Sequence, residues 1–247
     1  MMIKFLSILI ASSGVMWLQQ KQTTIWMIGD STMSVKAATA FPETGWGMPF
    51  AAFWDSTIRV DNRAVNGRST RTFLEENRWQ PVLDGLREGD YVFIQFGHND
   101  EVPTKKSYVE PELFRKNLER YIGDVRSRKA IPVLLTSVAR RKFDSTGHII
   151  DTHADYGAIT RSVASLNKVV LIDAGRLTEK LLTDMGPRNS AYLFNHLKPL
   201  EHPNYPDGVN DDTHLNELGA RRVAELVLGE IRKQLPELAN HIRNKLP

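Results

Sequence analysis

Three separated groups of residues hold what a nucleophilic acyl-transfer site requires. Gly29-Asp30-Ser31-Thr32 follows the apolar run Thr24-Ile-Trp-Met-Ile. Such a run reads as a buried strand, and a serine in the tight turn at its carboxyl end stands where open α/β sheets hold their sites. A serine hydroxyl is a poor nucleophile until a base accepts its proton. Asp211-Asp212-Thr213-His214 offers that base, with a carboxylate to fix the tautomer and orientation of the imidazole. Asp211, three residues before His214, is spaced to fold back onto the ring within one turn. Asp212 is its rival, and N-terminal capping of the following helix is a competing use for Asp211-Asp212-Thr213. Attack on an ester carbonyl builds negative charge on oxygen, which preorganised donors stabilise. The candidates are the backbone N–H of Ser31, the backbone N–H of Gly67 and the side-chain amide of Asn99. Alone, Gly67 reads as a turn needing positive φ and Asn99 as an Asx-turn residue ending a strand. Together, and in this order along the chain, they read as an oxyanion site facing a serine.

The elements that must position these residues follow from hydrophobic periodicity. After the first strand, residues 33–43 read as an irregular loop. Gly45-Trp-Gly-Met-Pro-Phe-Ala-Ala-Phe-Trp opens an amphipathic helix with Trp46, Phe50, Phe53 and Trp54 at helical spacing. Core packing accounts for most of these rings, while Trp46 sits early enough to line a sugar pocket. Residues 58–65 predict a second strand ending at Gly67, and helices follow over 69–76 and 79–86. Asp90-Tyr-Val-Phe-Ile-Gln-Phe is the clearest buried parallel strand, ending in Gly97-His98-Asn99-Asp100. Pro111 opens a helix to Lys129, with Leu113, Phe114, Leu118, Tyr121, Ile122 and Val125 as its apolar stripe. Strand four spans 131–137. Residues 140–151 read as a hairpin excursion turning at Ser145-Thr146-Gly147, with Arg140, Arg141 and Lys142 at its base, where a substrate carboxylate could be met. A helix over 155–166, a strand over 169–173 and a helix over 174–185 closed by Gly186-Pro187 come next. Residues 188–213 show no convincing periodicity and read as a long polar, proline-rich loop of functional character. The last predicted helix covers 215–235, with Leu218, Val223, Leu226, Val227 and Ile231 inward. Five strand–helix alternations predict a three-layer α/β/α sandwich with a five-stranded parallel sheet, whose right-handed crossovers bring Ser31, Gly67 and Asn99 to one edge.

Composition bounds the alternatives. The 247 residues suit one substantial α/β domain, with 41% hydrophobic and 25% charged residues and a net charge of +3. The basic residues are scattered, which argues against a nucleic-acid partner. A sequence pI near 9.1 is compatible with an acidic polymer such as a uronic-acid polysaccharide. No cysteine is present, which excludes disulfides, thiolate catalysis and zinc–thiolate sites. No grouping of His, Asp and Glu has convincing metal spacing, and no cofactor is expected. Residues 1–20 have the layout of a secretory signal peptide: a short positive start at Met1-Met2-Ile3-Lys4, then an apolar stretch too short for a comfortable membrane span. The expectation is a secreted or periplasmic monomer, residues 21–247 forming the catalytic domain, without stable membrane insertion.

Gly29-Asp30-Ser31, Gly67, Gly97-His98-Asn99-Asp100 and Asp211-x-x-His214 match, in order, the four blocks of the SGNH (GDSL-like) hydrolase superfamily, and the resemblance runs from about residue 23 to 235. More narrowly, Gly29-Asp-Ser-Thr-Met, Phe96-Gly-His-Asn-Asp-Glu, and Pro203-Asn-Tyr-Pro-Asp-Gly leading into Asp211-Asp-Thr-His-Leu-Asn resemble the rhamnogalacturonan acetylesterase family. That resemblance implies a secreted, metal-free enzyme of flavodoxin-like fold that removes acetyl groups from galacturonic acid in the rhamnogalacturonan I backbone of pectin. It implies Ser31 as nucleophile, His214 as base, Asp211 as its partner, and Ser31, Gly67 and Asn99 as the oxyanion hole. Trp46, His98, Arg140 and Tyr205 are candidate substrate contacts, with a structural role behind the loop as the other reading of His98. A lipase, thioesterase or acetylxylan esterase shares the mechanism. A non-catalytic sugar-binding module shares only the fold, and it needs neither nucleophile nor base.

Overall fold

The computed structural model describes residues 22–243, so the expected leader at 1–20 lies outside the described residues. Along the chain run β1 (Thr23–Gly29), α1 (Gly47–Phe50), β2 (Ile58–Asn62), α2 (Thr70–Glu75), α3 (Trp79–Gly85), β3 (Tyr91–Gln95), α4 (Pro111–Ser127) and β4 (Ile131–Leu135). Then come α5 (Ala154–Leu166), β5 (Val170–Ile172), α6 (Ala174–Asn189), β6 (Phe194–Leu197), β7 (Val209–Leu215), α7 (Glu217–Gln234) and α8 (Pro236–Ala239).

β1 to β5 form one parallel sheet in the order β2-β1-β3-β4-β5. Successive side chains of a strand point to opposite faces, and both faces here are covered. Ile25, Met27, Phe93 and Val133 join a core with α1, α6, α7 and α8. Trp26, Ile28, Val92 and Ile94 join a second core with α2, α3, α4 and α5. The central strands are apolar without alternation because neither face meets water. This is the expected α/β/α sandwich. Strand order reverses between β1 and β3, which opens a crevice beyond their carboxyl ends.

Several expectations are corrected. Residues 188–213 are not one loop. They hold β6 and the start of β7, an antiparallel pair outside the main sheet. Its polar residues and the prolines between its strands hide it from a periodicity search. The last helix begins at Glu217, capped by the Asn216 side chain accepting from the Gly219 N–H at 3.0 Å, so Asp211-Asp212-Thr213 is free of capping duty. Leu113 on α4 and Leu218 on α7 are exposed rather than inward, and Leu226 is only partly buried; each lies at the edge of its helix's buried stripe. α6 breaks where predicted, at Gly186 with φ 73°, but resumes for a turn to Asn189.

Candidate active site

Ser31 follows β1 in a turn held by the Asp30 carbonyl, which accepts the Ser34 N–H at 3.1 Å. Beneath it lies a buried chain of hydrogen bonds. The Trp46 indole N–H donates to Gln95 Oε1 at 2.8 Å, Gln95 Nε2 donates to Thr32 Oγ1 at 2.7 Å, and Thr32 Oγ1 donates to Asp30 Oδ1 at 2.8 Å. The chain ties α1, β3 and the serine turn together. It also corrects the reading of Trp46, which is fully buried with its only polar atom engaged, and lines no sugar pocket.

Ser31 Oγ lies 2.9 Å from His214 Nε2, and His214 Nδ1 lies 2.7 Å from Asp211 Oδ2. An irregularity in the β6–β7 ladder brings this about. The partner of Phe194 is Leu215 and that of Asn195 is Asp211, so Asp212, Thr213 and His214 bulge out. Bulges re-aim side chains, and this one swings the imidazole over the serine turn. The bulge frees two N–H groups, and Asp211 Oδ1 accepts both, from Thr213 at 2.7 Å and His214 at 2.9 Å. Partial burial pushes the Asp211 carboxyl upward, but its bonds to the His214 ring and backbone outweigh this and hold it at about 2. Asp212 faces away, meeting Arg141 Nη1 at 2.7 Å and His196 Nε2 at 2.8 Å, so the choice between the two carboxylates falls on Asp211.

The remaining wall comes from β2 and β3. Gly67 has φ +77°, a conformation L side chains rarely adopt, and nothing lies within 4 Å of where a Cβ would be. Gly97 has φ +142°, and a Cβ there would meet Ser137 Oγ at 2.3 Å, so the loop turns only with glycine. Asn99 Nδ2 donates one N–H to the Arg68 carbonyl at 3.1 Å, leaving its second for the cleft. Lys105 Nζ sits 3.2 Å from Asn99 Oδ1 and polarises the amide. The loop is pinned from behind: Asp100 Oδ1 accepts from the Thr70 N–H at 2.8 Å and the Thr70 hydroxyl at 2.6 Å. Complete burial pushes the Asp100 carboxyl up to about 7, against the Thr70 bonds and helped by the neighbouring Asp30 charge. Burial likewise raises Asp30.

Ser31, Gly67, Asn99, Asp211 and His214 line one cleft of about 430 Å³, together with Glu43, Asn66, His98, Lys105, Arg140 and Thr213. His98 is buried, stacked edge-on to His153 with ring centres 4.2 Å apart. Burial first, then the neighbouring His153, Arg140 and His214, hold it well below the usual imidazole range, so it faces the cleft as a neutral ring. Arg140 lines the cleft wall as a strut, reaching Thr213 Oγ1 at 3.1 Å, the His98 carbonyl at 3.2 Å and Glu101 at 3.2 Å. Tyr205 is outside the cleft. Its hydroxyl donates to the Ala40 carbonyl at 2.8 Å, fastening the β6–β7 loop to the segment after the serine turn.

Sequence reasoning passed over Lys36, Glu43, Asn66 and Lys105. The Lys36 side chain is 2% exposed, with its ammonium 2.6 Å from Glu43 and 2.9 Å from Asn66 Oδ1. No local pattern marks such a pair; only the fold brings it to the cleft. Among the described residues, no group of three His, Asp or Glu side chains is arranged to hold a metal ion.

Residues 27–222 match the model of the GDSL-like Lipase/Acylhydrolase family. Rhamnogalacturonan acetylesterase RhgT of Bacillus subtilis (strain 168) is 38% identical over 226 residues, 91% of this chain and 96% of its own length. The probable rhamnogalacturonan acetylesterase YesY of the same strain is 33% identical over 211 residues, 85% of this chain and 92% of its own. The crystal structure of Bacillus subtilis YxiM matches with a TM-score of 0.74 at 27% identity, over 86% of this chain and 57% of that one.

Proposed function

This chain belongs to the GDSL-like lipase/acylhydrolase family and is a carboxylic ester hydrolase, and we infer that it removes acetyl groups from rhamnogalacturonan by a serine acyl-enzyme mechanism. Ser31 gives its proton to His214 Nε2 as its oxygen attacks the acetyl carbonyl. Asp211 holds the ring's other nitrogen and stabilises the imidazolium. The oxyanion is met by the Ser31 N–H, the Gly67 N–H and the free Asn99 amide hydrogen. His214 then protonates the leaving sugar oxygen, and water, deprotonated by the same imidazole, releases acetate and restores Ser31.

The observation that carries this reading is the unbroken contact from Ser31 Oγ through both nitrogens of His214 to Asp211, at 2.9 and 2.7 Å. The names of RhgT and YesY support the substrate, and the polar lining of the cleft suits a sugar better than a long acyl chain. The layout of residues 1–20 supports export to the periplasm or the medium, where such a polymer is met. Among the described residues no helix is long and apolar enough to cross a membrane. A single chain supplies every group the mechanism uses, and we take the working form to be a monomer.

The test is acetate release from acetylated rhamnogalacturonan, beside acetylated xylan and a long-chain p-nitrophenyl ester, for the natural protein and Ser31→Ala. Release from the pectic polymer that is lost in Ser31→Ala is the expected result. A preference for xylan or the long ester overturns the substrate, and absence of any Ser31-dependent release overturns the mechanism.

A further inference from the structure

A second and larger cleft, about 680 Å³, adjoins the first, and Lys105 and Arg140 line both, so the two form one groove. Its far part is built on the excursion after β4, where Lys142 stands with both backbone groups bonded: its N–H to the Arg140 carbonyl at 2.9 Å and its carbonyl to the Ile150 N–H at 2.8 Å. Among the described residues, neither Lys142 nor Lys105 has a carboxylate within ion-pair distance, whereas most arginines around the site do. Two of the three acids lining this cleft are held by other groups. Glu101 is held between Arg140 at 3.2 Å and His153 Nδ1 at 2.8 Å. Asp151 Oδ1 accepts the His153 N–H at 2.8 Å. Asp155 lies in the first turn of α5, where the helix end favours its charge. Among the described residues the groove therefore presents two ammonium groups without a carboxylate partner, one at its junction with the reacting serine and one further along.

We propose that this second cleft is a subsite for the carboxylate of a uronic acid further along the polymer from the acetylated sugar, with Lys142 as its specificity-determining cation and Lys105 at its junction with the first cleft. The inference rests on the carbohydrate reading above. A polymer whose ester lies at Ser31 must run on through one end of the cleft, and the end lined by Lys105 and Arg140 leads to Lys142. A carboxylate held there fixes the register of the chain, which is how binding away from the reacting bond orients it.

The test is calorimetric binding to the Ser31→Ala protein of a rhamnogalacturonan oligosaccharide and of the same oligosaccharide with its uronate carboxyls reduced to alcohols. A solvent-exposed ion pair predicts that the acidic form binds roughly twofold to fivefold more tightly, with the margin shrinking as salt is added. Lys142→Gln in that background is expected to remove most of the margin, and Lys142→Arg to restore it. Equal binding of the two forms, no binding of the acidic form, or a margin that Lys142→Gln leaves intact overturns the subsite. Failure of the parent reading registers elsewhere, in acetate release: a preference for acetylated xylan or the long-chain ester, or no Ser31-dependent release from any of the three, overturns that reading whatever the binding margin.

Discussion

Ser31 stands on a buried chain of hydrogen bonds running from Trp46 through Gln95 and Thr32 to Asp30, and the strands on either side of it are covered on both faces. His214 hangs from a bulge in a two-stranded ribbon, half-exposed, and is positioned chiefly by one carboxylate that takes its ring nitrogen and its own N–H together. One wall of the cleft is therefore part of the protein's core, while the other is a local device of a few residues. Changes under Ser31 should register mainly as lost stability. Changes around His214 should register as lost activity in a protein that still folds.

The largest effects fall on the groups that exchange the proton. His214→Ala is expected to lower kcat by roughly 10³–10⁶, as members of such a unit do, with thermal stability little changed. Asp211→Asn should cost about 10²–10⁴, because the amide leaves the imidazole in the wrong tautomer. Asp212→Asn removes only the contacts to Arg141 and His196 and should change kcat by no more than a few-fold. Steady-state kinetics on an acetyl ester, with melting curves alongside, separate the three. Equal losses at Asp211 and Asp212 would break the assignment.

Asn99→Ala lies between the two walls. Loss of one oxyanion donor typically costs about 10²–10³ in kcat. The Arg68 carbonyl, which the amide also serves, loses its partner but lies near the surface, so the drop should appear in kcat with a smaller change in melting temperature.

The same contrast explains what the chain reveals unaided. Ser31 and Asn99 were legible because each follows a continuous apolar run, and Gly67 because it follows a shorter strand of mixed apolar and polar residues, signals local to a few residues. Asp211 and His214 were legible by spacing, yet their strand was not, since a bulge destroys the period of two and prolines crowd the loop before it. Trp46 shows the limit: an aromatic at helical spacing looks alike in a core or a pocket, and its place is decided by Gln95, far along the chain. Lys36 and Lys105 were silent for the same reason. Their partners, Glu43, Asn66 and Asn99, become neighbours only after folding. Leu113 and Leu218 erred the other way, fitting a helical stripe whose edge the neighbouring elements do not cover.

Trp46→Phe tests the buried wall directly. The smaller phenyl ring leaves a cavity at a fully buried site and Gln95 Oε1 loses the indole donor, which together should cost about 2–4 kcal/mol of stability. Denaturant unfolding measures that loss. Activity per folded molecule should stay within a few-fold, and a loss of activity without a loss of stability would show that the two walls are not built as differently as the bonds imply.

The smallest predicted effect concerns pH, and here the walls respond with opposite sign. Asp211 is held at about 2 by its His214 bonds. Its contribution to stability is present above the unfolded value near 3.8 and lost as the pH falls from there through about 2. Asp100, buried under Asn99, is pushed up to about 7. Between the unfolded value and about 7 the native state holds a proton that the unfolded chain has released, so Asp100 erodes stability as the pH rises through that window. Above about 7 the native carboxyl has ionised as well, and the erosion levels off. Asp100→Asn keeps an acceptor for the Thr70 N–H and hydroxyl while remaining neutral at every pH. The natural protein should lose on the order of 1 kcal/mol between pH 6 and pH 8 that the variant does not lose. Denaturant melts at the two pH values supply the comparison. Parallel curves would mean that Asp100 is ionised throughout, stabilised by Thr70 alone, and that the wall beneath the serine tolerates buried charge as readily as the bulge opposite it.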